Sequence, residues 1–483
     1  MSKAIDRGIL TPRILQYHTA WLWLAGCAFA GTAMVFLFDD SCQLDGGVHY
    51  LFARWAWEHI ELFVGVWSRP LYTLLYSIPA LAGYRAARLF TVLLCLAIGW
   101  QTWRLAVDLK LDRAPLAIAF LWLQPSFFLF CADNMTEPVF ALTLIIALRL
   151  HHRGSVRAGM LVASLLILAR PEGLFLGLLW GIWMLAGYGI KSAINLSLLA
   201  AGSLIWWIAA WLITGDPLFI KNNWPPNWPL TGTVYGTAGL LAYPLRLPEI
   251  TGLFLMVPFL AGLFLSIKRR EFLTLSSTFL LIFILHTVLR AYGLLGSAGY
   301  PRYLVTISPA IAILTLIGWN RIANAFSRLP GIIRTCSVVA LIALSGFVNF
   351  LYADGAEWSR DARAISDAQQ WFRNHPQPIT RLIWSKPYAC ILFDRDPWEN
   401  PIFTGNHDDN LEILRASPPG TLAVWDARVG PKLNGLSVDD FEMEGYVRLY
   451  SQSFLLEAYI LERSWFGYGG PRYQEIYLLY KTK

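Results

Sequence analysis

Residues 20–38 read Ala-Trp-Leu-Trp-Leu-Ala-Gly-Cys-Ala-Phe-Ala-Gly-Thr-Ala-Met-Val-Phe-Leu-Phe, and Asp39 and Asp40 follow at once. A helix of that length, free of charge, matches the ~30 Å hydrocarbon core of a bilayer. Further apolar runs lie near 70–83 with 86–105, and at 114–131, 138–150, 157–169, 173–190, 193–213, 249–267, 272–290, 303–319 and 332–352. Taking the pair as one crossing gives about eleven spans. The expected fold is therefore mainly α, a polytopic transmembrane helical bundle. Composition agrees, with 56% hydrophobic and only 15% charged residues, against roughly 25% charged in ordinary globular domains.

Orientation follows from the basic residues. Residues 3–13, 104–113, 149–157, 268–270 and 321–334 each hold three Lys or Arg, and all five fall on one side of the count. By the positive-inside rule that side is the cytoplasm. The formal charge of +7 is scattered over these short loops, which argues against nucleic acid as a partner. No small-residue cleavage site follows the first run, so it is expected to be a retained signal anchor. Cys42 and Cys390 would both lie outside, where one disulfide can form, though nothing in the spacing demands it.

This topology collects the unusual polar residues on the outer face. The first outer loop spans 39–69, and within it residues 48–63 read as an amphipathic helix. Arg54, Glu58 and Glu61 share one face there, opposite an apolar stripe. The outer loop 214–248 contains Lys221-Asn222-Asn223-Trp224-Pro225-Pro226-Asn227-Trp228-Pro229, a segment suited either to a sugar-stacking lid or to an interface-anchored loop. After 352 the composition becomes that of a soluble domain. A charged helix near 356–374 precedes strand-like runs at 381–384, 421–425, 446–451, 458–462 and 475–480. Residues 1–352 are thus expected to form the membrane domain, and 353–483 a soluble α/β or α+β domain of about 130 residues.

Four constellations can carry chemistry. Asp39-Asp40 can supply a general base or hold Mg²⁺ or Mn²⁺; a plain acidic helix end is the alternative. Asp133-Asn134-Met135-Thr136-Glu137-Pro138 contains a helix start at Pro138, but capping does not require Glu137. Arg170-Pro171-Glu172-Gly173 is either a tight turn with an internal ion pair or a guanidinium poised for phosphate. Gly299-Tyr300-Pro301-Arg302-Tyr303 brings a cation to interfacial depth after Arg290, as phosphate ligand or snorkelling anchor. Arg69-Pro70 and Arg85/Arg88 repeat the theme more weakly.

The pattern resembles the GT-C glycosyltransferases, and within them the branch of protein O-mannosyltransferases and bacterial aminoarabinose and arabinofuranosyl transferases. The resemblance rests on Asp39-Asp40 after the first span, the amphipathic segment behind it, Arg69-Pro70-Leu71-Tyr72, Thr136-Glu137-Pro138, Arg170-Pro171-Glu172-Gly173, and Arg302-Tyr303 with Pro309. It departs at Trp67-Ser68-Arg69-Pro70, where the family commonly has a His-Pro-Pro stretch. It implies an inverting transfer of a sugar from a polyprenyl phosphate to a hydroxyl of an extracytoplasmic glycan, lipid or protein. Asp40 or Asp39 would be the base, and Arg302, Arg170 and Arg69 the phosphate ligands. Glu137, Asp133, Glu172, Tyr303 and His49 would line the substrate cavity. The place would be a bacterial inner membrane, with the N-terminus cytoplasmic and the active face outside. A flippase of lipid-linked saccharides is the competing class; it would put polar residues near the midplane. A membrane-anchored scaffold would leave the charges between the spans unexplained.

Overall fold

The structure is a computed structural model, and it describes residues 7–38, 42–225, 236–328, 330–354, 357–399, 403, 406–427, 429–456 and 472–482. The chain folds as two compact units, Met1–Val35 with Ala56–Leu351, and Phe36–Trp55 with Tyr352–Lys483. Of the expected first outer loop, the described residues 42–55 thus belong to the second unit.

Every apolar run of the sequence falls on helix. α1 (Arg7–Leu37) is followed by α2 (Leu44–Arg54), α3 (Pro70–Leu81) and α4 (Tyr84–Asp108). The next run is broken into α5 (Leu116–Trp122) and α6 (Pro125–Phe130). Pro125 is the cause: it holds Gln124 extended, at φ −75° and ψ 120°, as proline does to its predecessor. α7 (Glu137–His152) carries Pro138 in its first turn. α8 (Val156–Ser164), α9 (Leu166–Ala169) and α10 (Gly173–Tyr188) come next, then a 3₁₀ stretch over Ile190–Ala200 that continues into α11 (Ala201–Thr214). α12 (Phe219–Asn222), α13 (Ala242–Leu245) and α14 (Leu247–Thr251) lie in and after the long loop, whose residues 226–235 are outside the described set. α15 (Met256–Arg269), α16 (Leu273–Tyr292), a 3₁₀ turn over Pro301–Ile307, α17 (Ser308–Ala325) and α18 (Gly331–Asp354) complete the series.

Six helical segments among the described residues are long and apolar enough to cross a membrane: Leu15–Leu37, Tyr84–Asp108, Ile190–Thr214, Leu273–Tyr292, Pro301–Ala325 and Gly331–Ala353. Val156–Ala169 and Gly173–Tyr188 are apolar but shorter. The chain is an integral membrane protein, and the expected eleven runs exceed the six full-length helices because several are interrupted or short. α7, for example, has 16 residues and a length of ~24 Å.

Packing in the first unit relies on backbone contact as much as on side chains. A Cβ on Gly262 of α15 would run into the Leu314 carbonyl oxygen, and one on Gly318 of α17 into that of Pro258. Small residues at a crossing are what lets helices approach closely where lipid supplies no hydrophobic drive. Gly202 meets the carbonyl of Ser164 in the same way, and its N–H bonds to Ser164 Oγ at 3.1 Å. Gln124 Nε2 donates to Ser308 O at 3.0 Å, tying the α5–α6 break to the start of α17.

The amphipathic helix expected over 48–63 is shorter. α2 ends at Arg54, where Trp55 N–H closes on Leu51 O, and the chain resumes as a 3₁₀ turn at Ile60–Phe63. Arg54, Glu58 and Glu61 therefore share no continuous face. Burial of Leu62, with Val64 and Val66 packed against Leu168 and Trp206, overrides the helical spacing.

In the second unit α19 (Glu357–Asn374) precedes β1 (Arg381–Trp384), α20 (Pro387–Phe393), α21 (His407–Ala416), β2 (Thr421–Asp426), α22 (Val429–Asn434), α23 (Val438–Met443), β3 (Tyr446–Leu456) and β4 (Arg472–Lys481). The sheet order is β1-β2-β4-β3, with β1 and β2 parallel and the other pairs antiparallel. β2 is buried throughout, as its central place requires, and Trp425 packs with Phe441, Leu414, Leu436 and Leu479. β3 runs five residues beyond the expected 446–451, paired with β4 past a register shift at Arg448/Tyr450; the strand expected at 458–462 is outside the described residues. α2 joins this unit through Phe52 against Trp398, 5.5 Å between ring centroids, and Arg54 beside Asp394 at 4.0 Å. Cys42 and Cys390 are buried here as free thiols, as all six cysteines are free, so the disulfide is not formed.

The glycine crossing yields a direct test. Gly262→Ala or Gly318→Ala should cost about 1–3 kcal/mol or more by overpacking against backbone, read as a lower thermal midpoint in detergent. Gly177→Ala, where a Cβ meets nothing within 4 Å, should be neutral or gain up to about 1 kcal/mol.

Candidate active site

Four segments of the first unit bring charged side chains into one buried network. The first is the loop 131–136 between α6 and α7. Arg88, 1% exposed on α4, donates from Nε to Ala132 O at 2.6 Å and so fixes this loop from below. Tyr72 OH of α3 donates to Asn134 O at 3.2 Å. The loop hands over to α7 at Glu137, which is 1% exposed.

The second segment is the turn from α9 to α10. Gly173 is required there: a Cβ would strike the backbone of Leu166 and Ile167. The tight turn places Arg170 and Glu172 side by side. Arg170 Nη1 lies 2.8 Å from Glu137 Oε1 and donates to Thr136 Oγ1 at 3.0 Å. Its Nη2 lies 2.8 Å from Glu172 Oε1, and Nε donates to the same carboxylate at 3.2 Å. The planar fork is thus occupied on both sides by carboxylates. Both readings of the turn meet here, since the internal pair exists and the guanidinium also reaches Glu137.

The third and fourth segments are α16 and the 3₁₀ turn Pro301–Ile307. His286 Nε2 of α16 stands 3.5 Å from Glu172 Oε1, and its ring stacks on Tyr303 at 5.1 Å between centroids. Arg302 lies over Tyr300 at 4.8 Å and beside Tyr303 at 5.6 Å. Its Nε is 3.8 Å from Glu137 Oε1, long for the ~2.7–2.9 Å of a charge-assisted hydrogen bond. Tyr303 also faces Arg170, 5.4 Å from its guanidinium carbon. The approach to Arg302 is braced: Arg290 Nη1 donates to Ser297 O, Arg246 Nη1 to Gly299 O, and Tyr243 OH to Tyr300 O.

Burial pushes the Asp133 carboxyl up to about 6, against the opposing pulls of Arg88, the Asn134 amide and Arg302. Asp133 Oδ1 accepts from Asn134 N at 2.7 Å. Its Oδ2 and both polar side-chain atoms of Asn134 are buried without a hydrogen-bond partner among the described residues. Buried polar atoms left so call for water or a ligand.

Of the residues singled out in the sequence, Glu137, Arg170, Glu172, Arg302 and Tyr303 meet in this network, and Asp133 stands within its electrostatic reach. Arg69 caps α3 three residues before Tyr72, 6% exposed, at φ 60° and ahead of a proline. A non-glycine residue so placed is strained; its Nη1 donates to Val66 O at 3.4 Å and its guanidinium lies over Trp67. His49 is buried on α2 in the second unit, its ring 6.2 Å from that of Phe52. Asp39 and Asp40 lie outside the described residues, and the metal reading attached to them lies there too. Among the described residues no group of three His, Cys, Asp or Glu is placed to hold a metal. The sequence reading missed His286 and Tyr243. A lone histidine inside the apolar run 272–290 was the available signal for the first; a tyrosine in a loop gives none.

Two solved structures share this fold. The apo structure of ArnT from Cupriavidus metallidurans is 14% identical, with a TM-score of 0.60 over 84% of this chain and 93% of that one. ArnT from the same organism bound to undecaprenyl phosphate is 12% identical, with a TM-score of 0.61 over 94% and 97%. The chain therefore has the fold of these ArnT structures. No protein-family model and no curated protein matches the sequence.

Removing Arg170 would strand two buried carboxylates, which typically costs 3–5 kcal/mol, whereas neutralising a whole buried cluster costs far less. Arg170→Met should therefore lower the thermal midpoint sharply, and Glu137→Gln/Arg170→Met/Glu172→Gln should recover most of the loss. Asp133 adds a pH signature. The folded state holds its proton more tightly than the unfolded chain, so its contribution is full below about 3.8 and declines as pH rises through about 6. Thermal midpoints of Asp133→Asn should lack that decline.

Proposed function

We propose that the protein is an inverting glycosyltransferase that moves a sugar from a polyprenyl phosphate to a hydroxyl of an extracytoplasmic glycan, lipid or protein. The observation that carries this reading is the convergence of Glu137, Arg170, Glu172, Arg302 and Tyr303 in one buried network, in a chain with the ArnT fold. One ArnT structure holds undecaprenyl phosphate, which supports a polyprenyl-phosphate donor here.

In the proposed reaction the acceptor oxygen attacks the anomeric carbon while the bond from that carbon to the phosphate oxygen breaks. The bond's electron pair leaves with the polyprenyl phosphate, and the acceptor proton passes to Asp40 or Asp39. The departing phosphate gains negative charge, so preorganised cations lower the barrier. Arg302 suits that task better than Arg170. The Arg170 fork already serves two carboxylates, whereas Arg302 is held across two tyrosine rings and 3.8 Å from Glu137. We assign Arg170 to positioning: it fixes Glu137, and Glu137 in turn sets Arg302. Arg69 is the second candidate phosphate ligand. The expected eleven spans, with the N-terminus cytoplasmic and the network on the outer side, belong to the same proposal.

Purified protein incubated in detergent with a polyprenyl-phosphate sugar and an acceptor should form product, which a flippase would not. Asp39→Asn/Asp40→Asn should abolish turnover while leaving the thermal midpoint unchanged; full activity in that variant would overturn the assignment. Arg302→Ala should raise the donor KM by roughly 10–100-fold, the range for losing one charge-assisted hydrogen bond of about 1.5–3 kcal/mol.

A further inference from the structure

The other end of the first unit carries a polar feature that sugar transfer does not use. Arg302 precedes α17 and Asn320 lies 18 residues further on, so roughly 27 Å of helix separates the two ends. Beyond the Gly262–Gly318 crossing, a cavity of about 220 Å³ opens between α15 and α17. Ser266, Arg269, Glu271, Phe272, Asn320 and Arg321 are among the residues that line it.

Its floor is polar and fixed. Ser266 and Asn320 are buried. Ser266 Oγ donates to Glu271 O at 2.5 Å, and Asn320 Nδ2 donates to Asp112 O at 2.7 Å. Arg113 Nη1 donates to Asn320 Oδ1 at 3.0 Å and reaches Asn324 Oδ1 at 3.4 Å. Its walls are cationic. The guanidinium groups of Arg269 and Arg321 are without an ion pair or hydrogen bond among the described residues. With Arg113 behind the floor they outnumber the one carboxylate of the lining, Glu271. Its frame is strained as well. Lys110, Arg113, Arg270 and Phe272, in the two turns at this end, are all left-handed, at φ 53–56°, a region disfavoured for L-residues.

Exposed Ile267 and Leu273 flank the cavity with apolar surface, and two cations line a small volume at the ends of spans, with Arg113 behind its floor. Arginine forks match phosphate oxygens, and basic pockets between spans are where anionic head groups bind. The volume is below the roughly 300–1,000 Å³ of sites that enclose drug-sized molecules, so a phosphate with a small substituent fits. We infer that this cavity binds a phosphate group, borne on an anionic lipid head or free in solution. The site is independent of the proposed transfer chemistry.

The full chain, purified in detergent, is titrated with inorganic phosphate and, separately, with short-chain phosphatidylglycerol in mixed micelles; the matched diacylglycerol, which lacks the phosphate, is the control. The thermal midpoint is the readout. Wild type is expected to be stabilised, and Arg269→Gln/Arg321→Gln to need at least about tenfold more ligand for the same shift. Arg269→Lys/Arg321→Lys should keep most of the effect, and Arg153→Gln, a cation at the same end, all of it. Stabilisation by phosphatidylglycerol alone identifies a lipid head group, and equal stabilisation by inorganic phosphate a free anion; either supports the site. Should the double variant fold poorly, the single Gln variants carry the same titration. No stabilisation by either ligand, or an unchanged response in the Gln variants, overturns the inference.

Discussion

The guanidinium of Arg170 is gripped on both sides by buried carboxylates, Glu137 at the head of α7 and Glu172 at the head of α10. The rest of the network depends on that bridge. It joins two helix starts that are 35 residues apart in sequence, and a carboxylate left alone at either would be costly to bury. His286 closes on Glu172 from α16, and Tyr303 stacks on His286 while facing both arginines. Once the bridge is formed, Arg302 has one place to be, over Tyr300 and beside Tyr303.

The bundle that holds this network is built from contacts lipid cannot supply. Apolar side chains gain little by leaving lipid for a neighbouring helix, so close approach and polar ties decide which helices pair. The Gly262–Gly318 crossing provides the first kind, and Arg149 of α7 bound to Asp108 and Gln101 of α4 the second. The two polar ends differ in character. Near Glu137 the charges compensate one another inside the protein; near Arg269 and Arg321 they are open to what lies outside.

Much of this was legible in the sequence because the membrane imposes simple rules. Each apolar run is helical, Pro138 does begin α7, and the motifs 133–138, 170–173 and 299–303 do converge. What was not legible depends on tertiary partners. The spacing of Arg54, Glu58 and Glu61 is helical, yet burial of Leu62 and Val64 breaks the segment after Arg54. Pro125 marked the break between α5 and α6, but an apolar count alone ran across it. Arg170 could be read for a turn or for a phosphate, and only the position of Glu137 shows how its fork is engaged. Asp39 and Asp40, the clearest signal in the sequence, lie outside the described residues and keep their role as a proposal.

The glycine crossing also bears on how the chain is made. α16 stands between α15 and α17 in the chain, and 56 residues separate Gly262 from Gly318. At roughly 5–20 residues per second of synthesis, about 3–11 s pass between the two. For that interval the Gly262 face of α15 lacks the α17 backbone that meets it in the finished fold. The Gly262–Gly318 seam is therefore closed late, by a helix that arrives directly behind the turn carrying Arg302.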